Sequence, residues 1–359
     1  MKMPCKNYFF YRLISTILVL FIFPIVTSAE LLTNWVEHTG NPVYSGSSSK
    51  AYYPTVIKDS SSSYKMWYTG SGGVFYATSG NGTSWTPGNG GNAVTGLTNP
   101  HHVVVRYNKT KSLYQAWYWD TDQLYSVQSI RYAESSDGLS WNNDRAIAQS
   151  SAKPIITGNS TDWNRGSYGP SDVILNSSAS NSGDDPWDYS YVMYYDATTG
   201  GRQDIGLAYS SDGITWTRNG DSNADGLVLA RGDASGANYW DAAFAGRSSV
   251  YKENDQSFHM WYSGGASDLN DGIGYAFSTN GVDWVKEPDP IFHVDDNVAW
   301  RTSRSYTPVV VDGKEMWFTG DDGTTRGIGY ATVVPEPSAI TLLFGVGAGI
   351  LILRRIFRI

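Results

Sequence analysis

The sequence predicts an all-β fold, a five-bladed β-propeller, from three motifs that recur in fixed order along the chain. The first is a strand reading Met-Trp-Tyr or close to it: "KMWYTG" at Trp67, "QAWYWD" at Trp117, "VMYYDA" at Tyr194, "HMWYSG" at Trp261 and "EMWFTG" at Trp317. The second is a strand carrying Tyr-Ala or Leu-Ala, at Tyr76, Tyr132, Leu207, Tyr275 and Tyr330. The third is a turn, Ser-x-Asp/Asn-Gly-x-x-Trp, at 79–85, 135–141, 210–216 and 278–284. The strand centres lie 50, 77, 67 and 56 residues apart with no helical periodicity, which is the pattern of sheets repeated as a propeller or a solenoid. An open solenoid would need capping units at both ends.

Each unit opens with a short apolar strand expected to line the axis. In each turn the Asn or Asp side chain accepts a backbone N–H, Gly supplies the positive φ, and the Trp folds back between neighbouring sheets. Asn81, Asp137, Asp212 and Asn280 therefore read as structural. The fifth unit stops at Tyr330-Ala331 without turn or Trp. The stretch "NWVEHTGNPVY" (34–44) supplies what is missing: Trp35 as the turn Trp and Asn41–Tyr44 as the fourth strand. Such a strand would close the ring and remove the exposed sheet edges.

The flanks differ in kind. Lys2, Lys6 and Arg12 precede an apolar run from Leu13 to Val26, then Thr27-Ser28-Ala29, the layout of an export signal over residues 1–29. Cys5 is the one cysteine and falls inside that signal, so residues 30–334 can form no disulfide. Val334-Pro335-Glu336-Pro337-Ser338, an apolar stretch to Leu353 and then Arg354, Arg355 and Arg358 follow in order. This tail, residues 335–359, resembles the PEP-CTERM sorting signal. The resemblance implies a membrane segment, processing by an exosortase and a place at the cell surface or outside it; a plain C-terminal anchor is the simpler alternative. The whole chain carries −8; the signal holds +3 and the tail +2, leaving −13 for residues 30–334. So acidic a domain argues against nucleic acid or anionic lipid as partner. The chain's 14 Trp and 25 Tyr suit sugar stacking and equally a β-rich core.

Five units with these strand motifs resemble the five-bladed propeller glycoside hydrolases of the arabinanase, invertase and levansucrase type, over roughly residues 31–334. The resemblance implies a carbohydrate partner and an axial site at the mouth formed by the loops leading into the first strands. Those loops gather Tyr53, His101, His102, Asp172, Asp241, Arg247, Arg304 and Tyr306, while the second-to-third loops bring Asp196 and the acids Asp120, Asp122, Asp268, Asp271 and Asp321. Glycoside hydrolysis needs two carboxyls flanking the bond. Asp172 and Asp241 are the expected pair with Asp196 as a third candidate. Tyr53, His101, His102, Arg247, Arg304 and Tyr306 are expected to hold substrate. The first inner strand opens with Tyr53-Pro54 and no Asp, and no Glu leads into any of the five, a departure from the hydrolase pattern. A non-catalytic propeller that binds glycan or another matrix component is the alternative. His101 and His102 alone make no metal site, since strand alternation would point them to opposite faces. The run "DSNADG" (221–226) matches half of a calcium loop but has Gly232 where a closing Glu belongs, so it reads first as a loop. No cofactor is expected.

Overall fold

The computed structural model describes residues 32–334, apart from 48–49, 124–125, 127–128, 160, 221–225, 233–239, 267–271 and 294–297. The expected export signal (1–29), the PEP-CTERM-like tail (335–359), most of the calcium-like run, Asp268 and Asp271 lie outside the described residues. No helix among the described residues is long and apolar enough to cross a membrane.

The chain is all-β. Its strands form antiparallel sets, each laid down in chain order. The first set is Tyr52–Ser60, Ser63–Gly70, Gly73–Ser79 and Trp85–Pro87. The second is Pro100–Asn108, Leu113–Asp120, Ile130–Ser135 and Asn142–Ala146. The third is Gly166–Leu175, Tyr191–Thr199 and Arg202–Ser210, whose last strand pairs with Thr215–Arg218 and then Leu227–Leu229. The fourth is Phe244–Asn254, Ser257–Gly265 and Gly272–Ser278, flanked by Val285–Lys286 and Phe292–His293. The fifth is Arg304–Val311, Glu315–Asp321 and Arg326–Val333. The third and fourth sets share one parallel pairing, Gln203 with Phe244.

Trp35–Glu37 pairs antiparallel with Arg326–Val333, Trp35 opposite Val333 and Glu37 opposite Ala331. The strand thus begins at Trp35 itself, earlier than the Asn41–Tyr44 expected from sequence. Tyr44 adds a separate bridge to Ile328. This two-part outer strand repeats in the third and fourth sets, where a short strand after the turn is followed by a second one farther on.

The first strand of each set lies against the first strand of the next, and Tyr52–Ser60 also lies against Arg304–Val311. Between neighbouring sets sit apolar clusters, each holding the aromatic residue of one second strand: Trp67, Trp117, Tyr194, Trp261 and Trp317, all at 0 % exposure. Burying a ring of that size is worth on the order of 4–6 kcal/mol of gross transfer free energy. These seams hold a chain without disulfides.

The turns act as expected. Asp137 Oδ1 accepts from the backbone N–H of Leu139 at 2.8 Å and of Ser140 at 2.9 Å, and Asn81, Asp212 and Asn280 make the same pair of bonds. The turn glycines 82, 138, 213 and 281 all have positive φ. At Gly138 a Cβ would lie 2.6 Å from the Trp67 ring of the preceding set, so both the backbone angle and the close approach require glycine.

Candidate functional site

Every inner strand is bulged near its start, as register shifts across Tyr52/Thr55, His101/Val103, Pro170/Asp172, Gly246/Ser249 and Tyr306/Val309 show. Four of these bulges hold a side-chain-bearing residue at positive φ: Tyr53 (52°), His102 (43°), Arg247 (50°) and Thr307 (51°). Each costs on the order of 1–3 kcal/mol and persists only where its surroundings fix it. The fixing contact recurs. The bulge N–H donates to a side chain on a neighbouring second strand, two residues past the buried aromatic. Tyr53 N bonds Thr319 Oγ1 (3.0 Å), His102 N bonds Thr69 Oγ1 (3.2 Å) and Thr307 N bonds Ser263 Oγ (2.7 Å). In the fourth case the acceptor is a carboxylate: Arg247 N bonds Asp196 Oδ1 at 2.7 Å.

The bulges gather most of the expected binding residues. Around the Tyr53 ring lie His101 (4.8 Å between centroids), His102 (5.1 Å), Tyr52 (5.1 Å) and Tyr306 (5.6 Å). The Arg247 guanidinium sits 4.9 Å over Tyr53, 4.9 Å over Phe244 and 5.9 Å over Tyr306. His101 continues the cluster to Trp119 at 5.0 Å, and Trp119 to Tyr168 at 5.6 Å. The expectation that the two histidines face opposite ways is corrected: the bulge at His102 breaks the alternation and both rings meet Tyr53. Arg304 makes no ring or ion-pair contact with this cluster among the described residues; in register it stands opposite Asp321. Just inside the cluster the inner strands enclose a cavity of ≈ 20 Å³, lined in part by His102, Ser171, Asp172, Arg247 and Thr307. That is room for about one water.

The three candidate acids differ sharply. Asp172 is spent on structure: Oδ1 accepts from the Arg106 guanidinium and from Val173 N (2.7 Å), and Oδ2 from Val250 N (2.8 Å), tying three inner strands together. Asp241 is likewise engaged, Oδ1 with Gly232 N (3.1 Å) and Oδ2 with Tyr262 Oη (3.1 Å) and the Lys286 ammonium. Asp196 is fully buried; its Oδ1 accepts from Ser171 Oγ and Arg247 N, but its Oδ2 has no partner. Burial pushes its carboxyl above the usual range against the pull of Arg247, Ser171 and the Arg247 backbone N–H. Burial, then the Arg247 charge, lowers His101 to about 3 and His102 well below its ordinary value, so both imidazoles are neutral at pH 7.

Unpartnered buried polar atoms concentrate here: His101 Nδ1, His102 Nδ1, Trp119 Nε1, Asp196 Oδ2, Gln203 Oε1, Arg247 Nη1 and Ser248 Oγ. Such atoms are rare in folded interiors and call for a ligand or water. Gln203 borders Asp196 across Gly246, where a Cβ would lie 3.0 Å from Asp196 Oδ1 and from Gln203 Oε1. Sequence reading passed over Trp119 and Gln203. The available signal was positional: Trp119 and Asp196 occupy the same place two residues after the buried aromatic. No group of three or more His, Cys, Asp or Glu among the described residues could hold a metal.

No protein-family model and no curated protein matches this chain. Solved structures do. A glycosyl hydrolase from Bacteroides ovatus superposes with a TM-score of 0.58 at 14% identity, over 86% of this chain and 97% of that one. A structure from the GH130 family of mannoside phosphorylases, described as containing glycoside hydrolases that target β-1,2 mannosidic linkages in Candida mannan, gives 0.57 at 15%, over 88% and 98%. A thermostable family-43 glycoside hydrolase gives 0.53 at 17%, over 83% and 97%. At such identities the likeness is one of architecture: the chain has the β-propeller fold of glycosidase-like proteins.

Proposed function

We propose that the five strand sets are blades of one propeller closed by Trp35–Glu37, and that its axial mouth binds carbohydrate without cleaving it by a carboxylate pair. The observation carrying this reading is the mouth itself: the clustered rings of Tyr53, His101, His102 and Tyr306, in edge-on and tilted contact beside Arg247, with unpartnered polar atoms among them. Aromatic faces next to a few fixed polar groups are what a sugar ring requires. Hydrolysis asks for two available carboxyls, and of Asp172, Asp241 and Asp196 only Asp196 retains an oxygen without a partner. The glycosidase-like neighbours agree with a carbohydrate partner. A second reading, a glycosidase using Asp196 as its acid, is favoured by one observation, the raised pKa of that carboxyl. The basic-apolar leader and the PEP-CTERM-like tail support export, exosortase-type processing and residence at the cell surface or outside it.

A glycan array followed by product analysis separates the readings. The expected result is binding without products, weakened about tenfold or more, or ~1.4 kcal/mol, by His101→Ala. Products that vanish in Asp196→Asn would establish the enzyme instead; no binding to any glycan removes both. Deleting residues 335–359 should release the protein into the medium, and a truncated chain that stays cell-bound would refute the anchor.

A further inference from the structure

We infer that the sugar bound at this mouth is acidic, a uronate-type unit whose carboxylate meets Arg247. The inference rests on the carbohydrate reading above and narrows it to a chemical class. Five other arginines of the described chain are ion-paired: Arg106 with Asp172, Arg131 with Asp144 (3.0 Å), Arg231 with Asp204, Arg301 with Glu37 (2.6 Å) and Arg326 with Asp321 (2.9 Å). Arg247 pairs with none of the described carboxylates. Its contacts are the Tyr53, Phe244 and Tyr306 rings, and its Nη1 is buried without a partner. The acid beside it, Asp196, takes the Arg247 backbone N–H rather than the guanidinium, and burial favours its neutral form. The neighbouring histidines are neutral as well. Among the described residues the Arg247 guanidinium thus has no ion-paired carboxylate, a costly arrangement unless a ligand supplies one.

Space and chemistry agree. The ≈ 20 Å³ cavity beside Arg247, also lined by Arg106 and Asp172, has room for about one water and admits no sugar ring, so a ligand would meet the guanidinium from the mouth side. Tyr52, 5.1 Å from Tyr53 and 5.5 Å from His101, also borders an open recess of ≈ 440 Å³ with Lys50 and Arg326, within the range that ligands occupy. A planar guanidinium held against rings presents a fork matched to a carboxylate.

The test is calorimetric titration of the full chain with a galacturonic acid trimer, its neutral methyl ester, a sulfated oligosaccharide of equal length and inorganic phosphate. The expected result is at least tenfold tighter binding of the uronate than of its ester, weakening with added salt. In Arg247→Gln the preference for acid over ester should disappear. Equal affinity for acid and ester in the unaltered protein, a comparison needing no variant, overturns the inference and leaves the carbohydrate reading standing. Binding of none of the saccharides removes the carbohydrate reading itself. Tighter binding of the sulfate ester or of free phosphate overturns the uronate in favour of another oxyanion.

Discussion

Two kinds of seam join the sets. In the ordinary kind, a second-strand aromatic donates into the turn of the next set: Trp67 Nε1 to Gly138 O at 2.7 Å, Trp117 Nε1 to Gly213 O at 2.7 Å, Tyr194 Oη to Gly281 O at 2.6 Å and Trp317 Nε1 to Gly82 O at 2.8 Å. At the seam between the fourth and fifth sets no such turn exists. Leu32 stands three residues before Trp35, as Gly82 stands before Trp85, and its carbonyl accepts from Trp35 Nε1 at 2.8 Å. Trp261 Nε1 is left buried without a partner. Trp261 still meets the Trp35 ring edge-on at 5.7 Å, as Trp317 meets Trp85, Trp117 meets Trp216 and Tyr194 meets Trp284 at ordinary seams. Where distant chain segments complete one sheet, the ring packing is kept and the hydrogen bond that a continuous turn supplies is lost.

The comparison can be broken in order of expected effect. Trp35→Ala removes the packing on which that seam relies and should cost about 4 kcal/mol; a loss below 1 kcal/mol in urea unfolding would mean the seam does not depend on it. Gly138→Ala places a Cβ 2.6 Å from Trp67 at a φ of +75° and should cost ~3 kcal/mol, whereas Leu32→Ala at the equivalent position should cost ~1 kcal/mol. Equal losses would make the two seams equivalent. Trp67→Phe strands the Gly138 carbonyl and should cost ~1 kcal/mol more than Trp261→Phe, which removes an N–H that had no partner. The smallest effect lies at the mouth. Asp196 has a raised folded pKa, so its penalty is absent below the ordinary carboxylate range and grows as pH rises through the folded value. Asp196→Asn should therefore raise the melting temperature at pH 7 and leave it unchanged near pH 3. His101 has the opposite dependence: lowered to about 3, it withdraws stability as pH falls from about 6.5. His101→Gln should flatten the acid limb of a melting-temperature profile.

The propeller motifs were legible because each has a local cause: Gly at positive φ, an Asx side chain on two N–H groups, an aromatic residue at every seam. The site was legible only in part. Tyr53, His101, His102, Arg247 and Tyr306 come together because they sit at equivalent bulges, which the loops leading into the strands made visible. The acids misled because a loop carboxylate looks the same in sequence whether free or engaged. Asp241 follows Trp240, whose ring stacks on Tyr262 and covers Gly264 and Gly274; Trp300 does the same over Gly320 and Gly329 beside Arg301, and Trp163 over Gly206 beside Asn164. The position of Asp241 is thus a repeated packing element whose partners, Tyr262 and Lys286, lie on other strands. Nothing local announces those partners. Asp172 is similar, since the Arg106 that occupies it is 66 residues away.

The turn motif carries a further consequence. Backbone donors depress the Asp137 carboxyl; at Asp212 burial opposes ionisation, but the N–H groups of Thr215 and Ile214 prevail. At the first and fourth sets the same role falls to Asn81 and Asn280, which cannot titrate in that range. Strong acid would therefore loosen the middle of the molecule first, as those two aspartates take up protons below their ordinary range, while its flanking corners hold. Weathering would be lopsided, set by a choice between two nearly isosteric side chains.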